Sequence, residues 1–324
     1  MIRGRWPGLL ALSLAACLAG LALGAVRLPP SAVWAALADP SAPVATIVRE
    51  IRLPRVLLGF LVGGSLAVSG AVLQALIHNP LGDPYLLGIS GGAALAAVLV
   101  IAVGVGGAWT LPLAAFAGAL LALGLVYRLS LVQGRRLDAH ILVLAGVVVS
   151  AFTGALVAAI LTVSPAGRLR NAFQWMLGGL GAASWESLAV VAAYSVVPLV
   201  LLGWQSRGFD LLALGDDAAR HLGIEPERLR RMAYIATGCL TAAAVASCGI
   251  IGFVGLVVPH AIRLLWGPLH RALLPSAFLL GGAFLVLADA LARSVAAPVE
   301  LPVGIVTALV GVPLFASLLR RSIR

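Results

Sequence analysis

Residues 84–127 form a run of 44 positions without one charged side chain. Similar uncharged stretches recur towards the C-terminus. A helix on the surface of a soluble protein needs a polar face, whereas a helix inside a lipid bilayer does not. The run therefore predicts a protein that crosses a membrane several times. Its function must be sought at the few places where charge interrupts the apolar stretches.

The composition predicts an all-α polytopic membrane protein. Charged residues make up 10% of the chain and its mean hydropathy is +1.08, whereas soluble domains carry about 25% charge. At roughly 20 residues a span, 324 residues hold about ten transmembrane helices. The apolar stretches lack the alternation of membrane β-barrels. We expect one transmembrane domain over residues 1–324, with both termini on one side.

The basic residues exclude several functions. All 22 are arginines, so the chain lacks the lysine with which a P-loop binds nucleotide phosphates. The arginines stand at the ends of apolar runs and form no single patch, which argues against nucleic-acid binding. Cys17, Cys239 and Cys248 lie in apolar segments without metal-ligand spacing. We therefore expect no ATP hydrolysis by this chain, no metal site and no cofactor.

The apolar stretches divide into ten predicted spans. They lie at about residues 6–26, 55–77, two within 85–127, 141–163, 187–204, two within 232–262, 272–295 and 302–319. The first span has a cleaved signal peptide as its rival interpretation, but its length of 21 residues favours a retained helix. Four prolines predict a polar loop over residues 27–54.

The distribution of arginines predicts the orientation. Fifteen of the 22 arginines fall on the side of the termini and seven on the other side. Because cytoplasmic loops carry the excess of basic residues, both termini are expected in the cytoplasm. Arg49, Arg52 and Arg55 nevertheless cluster on the outer side.

Residues 209–223 form the longest insertion predicted on the cytoplasmic side. Asp210 and Asp216 can each cap the start of a short helix, Gly215 can separate the two helices, and Gly223 can end the second. Leucines supply an apolar face, at Leu211, Leu212, Leu214 and Leu222. The segment is either an ordinary interfacial helix or a rigid docking element for a soluble partner.

Six motifs in order resemble the iron-siderophore and cobalamin permease family of ATP-binding-cassette (ABC) importers. The resemblance covers about residues 50–321. The motifs are RLPR (52–55), GAVLQA (70–75), NPLGDPYLLGIS (79–90), LALG (212–215), GFVGLVVPH (252–260) and ELPVGIVT (300–307).

The resemblance implies a homodimer of ten-span subunits embedded in the lipid of the cell (inner) membrane. It also implies two separate ABC ATPase subunits in the cytoplasm and a substrate-binding protein on the outer side. The ATPase-coupling positions that it implies are Leu211, Leu212, Ala213, Leu214, Gly215, Asp216, Ala219, Arg220, Leu222 and Gly223.

The resemblance further implies that Arg52, Arg55 and Arg293 receive carboxylates of the binding protein. An arginine fork pairs bidentately with a carboxylate, so this role suits the residue type. The alternative is that Arg52 and Arg55 anchor the second span at the membrane interface. Asp289 stands four residues before Arg293, which allows a structural ion pair on one helix face. Glu300 is expected to begin the last helix as a cap residue.

Asp138, Ala139 and His140 occupy the turn before the fifth span, which the resemblance identifies as the cytoplasmic gate. A histidine there can titrate near neutral pH, whereas the alternative is an ordinary solvated helix cap.

The expected function is ATP-driven import of a ferric siderophore or cobalamin, with haem less favoured, by alternating access. The rival is an ion-coupled secondary transporter, which needs an ionisable site near the middle of the bilayer. Asp289 is the only acidic residue within the predicted core spans, and it lies near one end. An intramembrane enzyme is the second rival, but its motifs, such as Gly-x-Ser-x-Gly or His-Glu-x-x-His, do not occur.

Overall fold

A computed structural model describes residues 6–132 and 136–322, and these residues are almost entirely helical. The α-helices are α1 Trp6–Ala22, α2 Pro30–Ala38, α3 Leu53–Leu76, α4 Ile89–Val103, α5 Thr110–Leu129, α6 Ala139–Thr162, α7 Ala166–Met176, α8 Trp185–Trp204, α9 Ser206–Leu212, α10 Asp216–His221, α11 Pro226–Cys248, α12 Val254–Trp266, α13 His270–Val295 and α14 Val303–Ser322. A π-helix (Ile47–Arg52) leads into α3, and a 3₁₀-helix (Pro84–Leu87) precedes α4.

Six of the helices are long and apolar enough to cross a bilayer: α3 with its preceding π-helix, α5, α6, α8, α11 and α13. Four further apolar helices, α1, α4, α12 and α14, occupy the remaining predicted positions. The polytopic all-α prediction is confirmed. The count of ten spans stays a prediction, because α4 and α12 have only 15 and 13 residues, fewer than a bilayer normally requires.

Residues 27–54 are not the continuous loop that the prolines suggested. They contain α2 and the π-helix Ile47–Arg52. Pro30 is the first residue of α2, where its missing N–H costs nothing and its fixed φ favours a helix. The prediction was wrong because it read the prolines as helix breakers only. An amphipathic helix, α7, and a two-residue hairpin, β1 Leu131–Val132 with β2 Arg136–Leu137, were also not predicted.

Helix α3 lies at the centre of the bundle, and most of its residues are buried. It packs against α13, α11, α12 and α8. Close backbone contacts make this possible: a Cβ atom at Gly70 would lie 1.8 Å from the carbonyl oxygen of Gly255, and one at Gly63 would lie 2.3 Å from that of Gly281. Small residues allow such packing where lipid supplies no hydrophobic drive between helices.

The bundle has two ends that carry polar groups. We call the end with residues 77–82, 205–225 and 267–269 the lower end. We call the end with residues 23–52, 163–184 and 296–302 the upper end. Contacts within each end join segments far apart in sequence.

Candidate functional site

Two short helices project from the lower end. Helices α9 and α10 are separated by Gly215, whose φ of +104° suits glycine. After α10, Gly223 N–H donates to the Arg220 carbonyl and Ile224 N–H donates to the Ala219 carbonyl. This pair of hydrogen bonds, with Gly223 at φ +83°, ends the helix in a Schellman motif. The predicted helix–Gly–helix arrangement is therefore present.

Asp210 does not cap a helix, contrary to expectation. Helix α9 already begins at Ser206, and Asp210 lies inside it. Its carboxylate accepts hydrogen bonds from the backbone N–H of His270 at 2.9 Å and from His270 Nδ1 at 2.7 Å. Asp210 therefore ties α9 to the first turn of α13. The prediction was wrong because this carboxylate bonds to His270, which is 60 residues away in sequence, and not to the start of its own helix.

Asp216 fixes the second short helix to α11. Arg230 donates two hydrogen bonds to its carboxylate, at 2.8 and 2.6 Å. These bonds lower the pKa of Asp216 below its ordinary value, and burial opposes them only in part. Asp216 is not the cap that was expected, because Gly215 occupies the cap position; Asp216 instead stands in the first turn of α10, where the helix dipole favours a negative charge. Arg220 pairs with Asp217 at 3.0 Å on the exposed side of the same helix.

The leucines of this segment divide into anchors and exposed residues. Leu212 and Ala219 have no exposed surface and join the core. Leu214 is 68% exposed and Leu222 is 59% exposed. Isolated exposed leucines are common, but these two lie on a rigid element beside charged residues at one end of a membrane bundle. We call the segment from Ser206 to Gly223 the short-helix pair.

The predicted gate residues stand at the start of α6. Asp138 caps this helix, since its carboxylate accepts from the backbone N–H groups of His140 and Ile141 at 2.9 and 3.0 Å. The His140 side chain is fully exposed. Ala139 is the first helical residue. The hairpin before them is attached to α11, because the Leu137 N–H donates to Glu227 at 3.2 Å.

The three arginines assigned to binding-protein docking lie at the upper end and are buried. Arg55 donates to Asp289 through Nε and Nη2 at 2.9–3.2 Å and also to Glu300 at 2.9 Å. Arg293 donates to Asp289 at 2.9 Å, which confirms the predicted i, i+4 pair. The exposed fractions of Arg52, Arg55 and Arg293 are 5, 8 and 4%.

Backbone carbonyls complete this cluster. Arg293 donates to the carbonyls of Gly20 and Leu23, at 3.0 and 3.1 Å. Arg52 donates to the carbonyl of Leu21 at 2.6 Å and to two further carbonyls that follow it. Of these, the carbonyls of Gly20 and Leu21 lie in the last turn of α1, where a carbonyl has no partner within the helix. The arginines therefore close the end of α1 and bind it to α3 and α13, and the docking role stays a prediction.

Glu300 is not the cap residue that was expected. Helix α14 begins only at Val303, and Glu300 instead pairs with Arg55. Its side chain is 44% exposed, so it is the outermost carboxylate of the cluster.

A polar contact inside the bundle was missed. Arg263 of α12 donates to the side-chain oxygen of Gln74 in α3, and the Gln74 amide donates to the Gly82 carbonyl at 3.0 Å. The signal was available, because polar residues in apolar spans are rarely accidental. That Arg263 and Gln74 are partners could not be inferred from one sequence, because they are 189 residues apart.

Similarity to known proteins identifies the family. Residues 11–321 match the FecCD transport family. The chain belongs to this family. It is 41% identical over 323 residues to the vitamin B12 import system permease protein BtuC of Salmonella paratyphi A, covering 99% of this chain and 96% of BtuC. It is 44% identical over 282 residues to the cobalamin import system permease protein BtuC of Halobacterium salinarum, covering 85 and 73%.

Other relatives agree with the family. An uncharacterised ABC transporter permease protein of Bacillus subtilis, YvrB, is 38% identical over 318 residues, covering 94% of this chain and 90% of YvrB. A solved inward-facing structure, assigned to the metal-chelate type of ABC transporter, has a TM-score of 0.86 with 30% identity and covers 99% of both chains. The FecCD chain described here is therefore a multi-pass membrane permease subunit of an ABC importer.

Proposed function

We propose that the chain carries a metal chelate, either a ferric siderophore or cobalamin, into the cell. Haem is the less favoured substrate. Two relatives over 40% identical are named for cobalamin or vitamin B12 import, and the similar solved structure is assigned to the metal-chelate type. A wide path between two permease subunits suits a bulky chelate. Such a path needs few fixed polar contacts, which agrees with the scarcity of charged residues inside the predicted spans.

The short-helix pair carries the energy-coupling part of the proposal. Its exposed Leu214 and Leu222 offer apolar contacts to a soluble ATPase subunit. Asp210 and Asp216 hold the pair on α13 and α11, so a force on α9 or α10 is transmitted to two spans. This rigid connection is the observation that best supports coupling to ATP hydrolysed by a partner.

The gate and the homodimer form a second part of the proposal. On α6, Leu144, Val148 and Phe152 follow each other at intervals of four and are 62, 55 and 62% exposed. This spacing puts them on one helix face, which a second copy of the chain can cover. Asp138, Ala139 and His140 lie at the lower end of that helix, where closing two copies would close the path.

The upper end is proposed to receive the binding protein. Arg55 already holds an exposed carboxylate, that of Glu300, at 2.9 Å. A carboxylate of the binding protein can replace it on the same guanidinium fork. Arg52 and Arg293 contact only internal groups, whereas Arg55 also contacts this exposed carboxylate. We therefore propose that Arg55 meets the binding protein directly and that Arg52 and Arg293 hold Arg55 in place.

Transport by purified components tests the function. Proteoliposomes would contain the permease with its ATPase subunits, and the binding protein would be added with cobalamin, a ferric siderophore or haem. We expect uptake of one metal chelate that requires ATP and survives a proton ionophore. Uptake that survives ATP removal and collapses with the proton gradient would show a secondary transporter instead.

A further inference from the structure

A groove opens at the lower end beside the short-helix pair. It lies between α3, α8, α9 and α13 and has a volume of about 690 Å³. Its walls are mainly apolar, and they are formed by Val68, Leu199, Val200, Leu274, Pro275 and Phe278. Such a lining suits a hydrocarbon chain.

The rim of the groove lies at the depth of the lower membrane interface. Helix α8 begins at Trp185 and ends at Trp204, and these side chains are 42 and 82% exposed. Its 20 residues span about 30 Å, the thickness of a bilayer's hydrocarbon core. Tryptophan favours both interfaces, so the two residues mark them. Trp204 lines the groove, which places the rim at headgroup level.

The rim carries positive charge that no described residue neutralises. Arg207 and Arg271 line the groove and are exposed. Within the described residues, neither guanidinium forms a hydrogen bond or an ion pair. Two guanidinium groups on the rim of one groove, both without a negative partner among the described residues, attract a phosphate at a membrane interface.

His270 provides an independent sign of a missing ligand. It lines the groove, its exposed fraction is 5%, and its Nδ1 is engaged by Asp210 at 2.7 Å. The buried Nε2 has no hydrogen-bond partner among the described residues. A buried polar atom without a partner is costly, so an occupant with a polar group at this position is favoured.

We propose that the groove binds one anionic phospholipid of the adjacent leaflet. Its phosphate lies between Arg207 and Arg271, a hydroxyl group of its headgroup donates to His270 Nε2, and one acyl chain follows the apolar wall towards Phe278. The inference depends on the position of the groove in the bilayer, and it does not depend on which chelate is carried.

Retention of lipid by the purified protein tests the site. The full chain would be exchanged into mixed micelles of phosphatidylglycerol and phosphatidylcholine and then examined by native mass spectrometry. We expect one tightly held phosphatidylglycerol, preferred over phosphatidylcholine by about ten-fold, since two arginines contribute to the contact. Equal retention of the two lipids would overturn the proposal.

Substitutions locate the lipid within the groove. Arg207→Gln with Arg271→Gln should remove the preference for phosphatidylglycerol. Arg128→Gln is the control, since Arg128 is also exposed in the last turn of a span but does not line the groove. If the double variant keeps the preference, or the control loses it equally, the site is wrong.

Filling the groove gives a second test that does not alter charge. Gly203 lines the groove, and a Cβ atom there would meet nothing within 4 Å. Gly203→Leu should therefore fold normally and expel the bound lipid. Unchanged retention in a variant with an unchanged melting temperature would contradict the proposal. Displacement of the lipid from the wild-type protein by the ATPase subunit, one molecule for one, would identify a protein-binding surface instead.

Discussion

Arg55 and Asp289 are 234 residues apart in sequence and form a buried pair through three hydrogen bonds of 2.9–3.2 Å. Asp289 also accepts from Arg293, so one carboxylate compensates two guanidinium groups. The pair joins α3 to α13 at the upper end. Its burial distinguishes it from surface ion pairs, which contribute little to stability.

Asp289→Asn is predicted to destabilise the protein strongly. The substitution keeps the size of the side chain but leaves the buried Arg293 without a negative partner and Arg55 with only the half-exposed Glu300. Breaking a buried pair in this way costs about 3–5 kcal/mol. Thermal unfolding in detergent measures the loss, with Glu300→Gln as the control, since the Glu300 side chain is 44% exposed. Equal, small shifts in both variants would show that burial does not matter here.

Glu300→Gln is predicted to strengthen binding of the substrate-binding protein. If Arg55 binds a carboxylate of that protein, the Glu300 carboxylate competes for the same guanidinium group. The substitution removes this competing charge. An exposed pair is worth about 0.2–1 kcal/mol, so the affinity should rise by about two- to five-fold. Titration of labelled binding protein against the permease in nanodiscs measures it. An unchanged affinity would assign Arg55 to structure alone.

The attachment of α10 is predicted to weaken in acid. The pKa of Asp216 is lowered by Arg230 in the folded state, so the unfolded state binds the proton more readily. The contribution is therefore present above the ordinary aspartate pKa and is lost as the pH falls through the lowered folded value. Hydrogen exchange of residues 216–221 should increase over that range in wild type. Asp216→Asn should exchange rapidly at every pH, and a similar acid response in that variant would contradict the assignment.

Asp138→Ala is predicted to lower stability by about 1 kcal/mol and to reduce transport. It removes the carboxylate that caps α6 at 2.9 and 3.0 Å. Asp138→Ser keeps a capping oxygen without the charge and should retain both properties. Calorimetry and uptake measurements on the two variants distinguish the effect of losing the helix cap from the effect of losing the negative charge. Loss of transport in Asp138→Ser with normal stability would show that the gate requires the charge itself.

The sequence predicted those features that depend on local pattern. The lengths of the apolar stretches predicted the long spans. Gly215 and Gly223 predicted the short-helix pair, and both residues have positive φ in the structure. The ion pair of Asp289 and Arg293 followed from spacing on one helix. Such features need no knowledge of what packs against them.

Features that depend on tertiary partners could not be predicted. Asp210 resembled a cap because its contact with His270 is invisible in one sequence. Arg55 resembled a surface residue because Asp289 lies on a distant helix. Residues 27–54 were misjudged since proline favours a helix start as well as a loop.

The most direct test of ATP coupling is the binding of the ATPase subunit to the short-helix pair. Leu214→Glu and Leu222→Glu place charges on two exposed residues without disturbing the core. Val299→Glu is the control, because Val299 is 65% exposed at the upper end. Co-purification of the ATPase subunit should fall at least ten-fold in the two leucine variants and remain at the wild-type level in the control. Full association and full ATP-dependent uptake in both leucine variants would contradict the account.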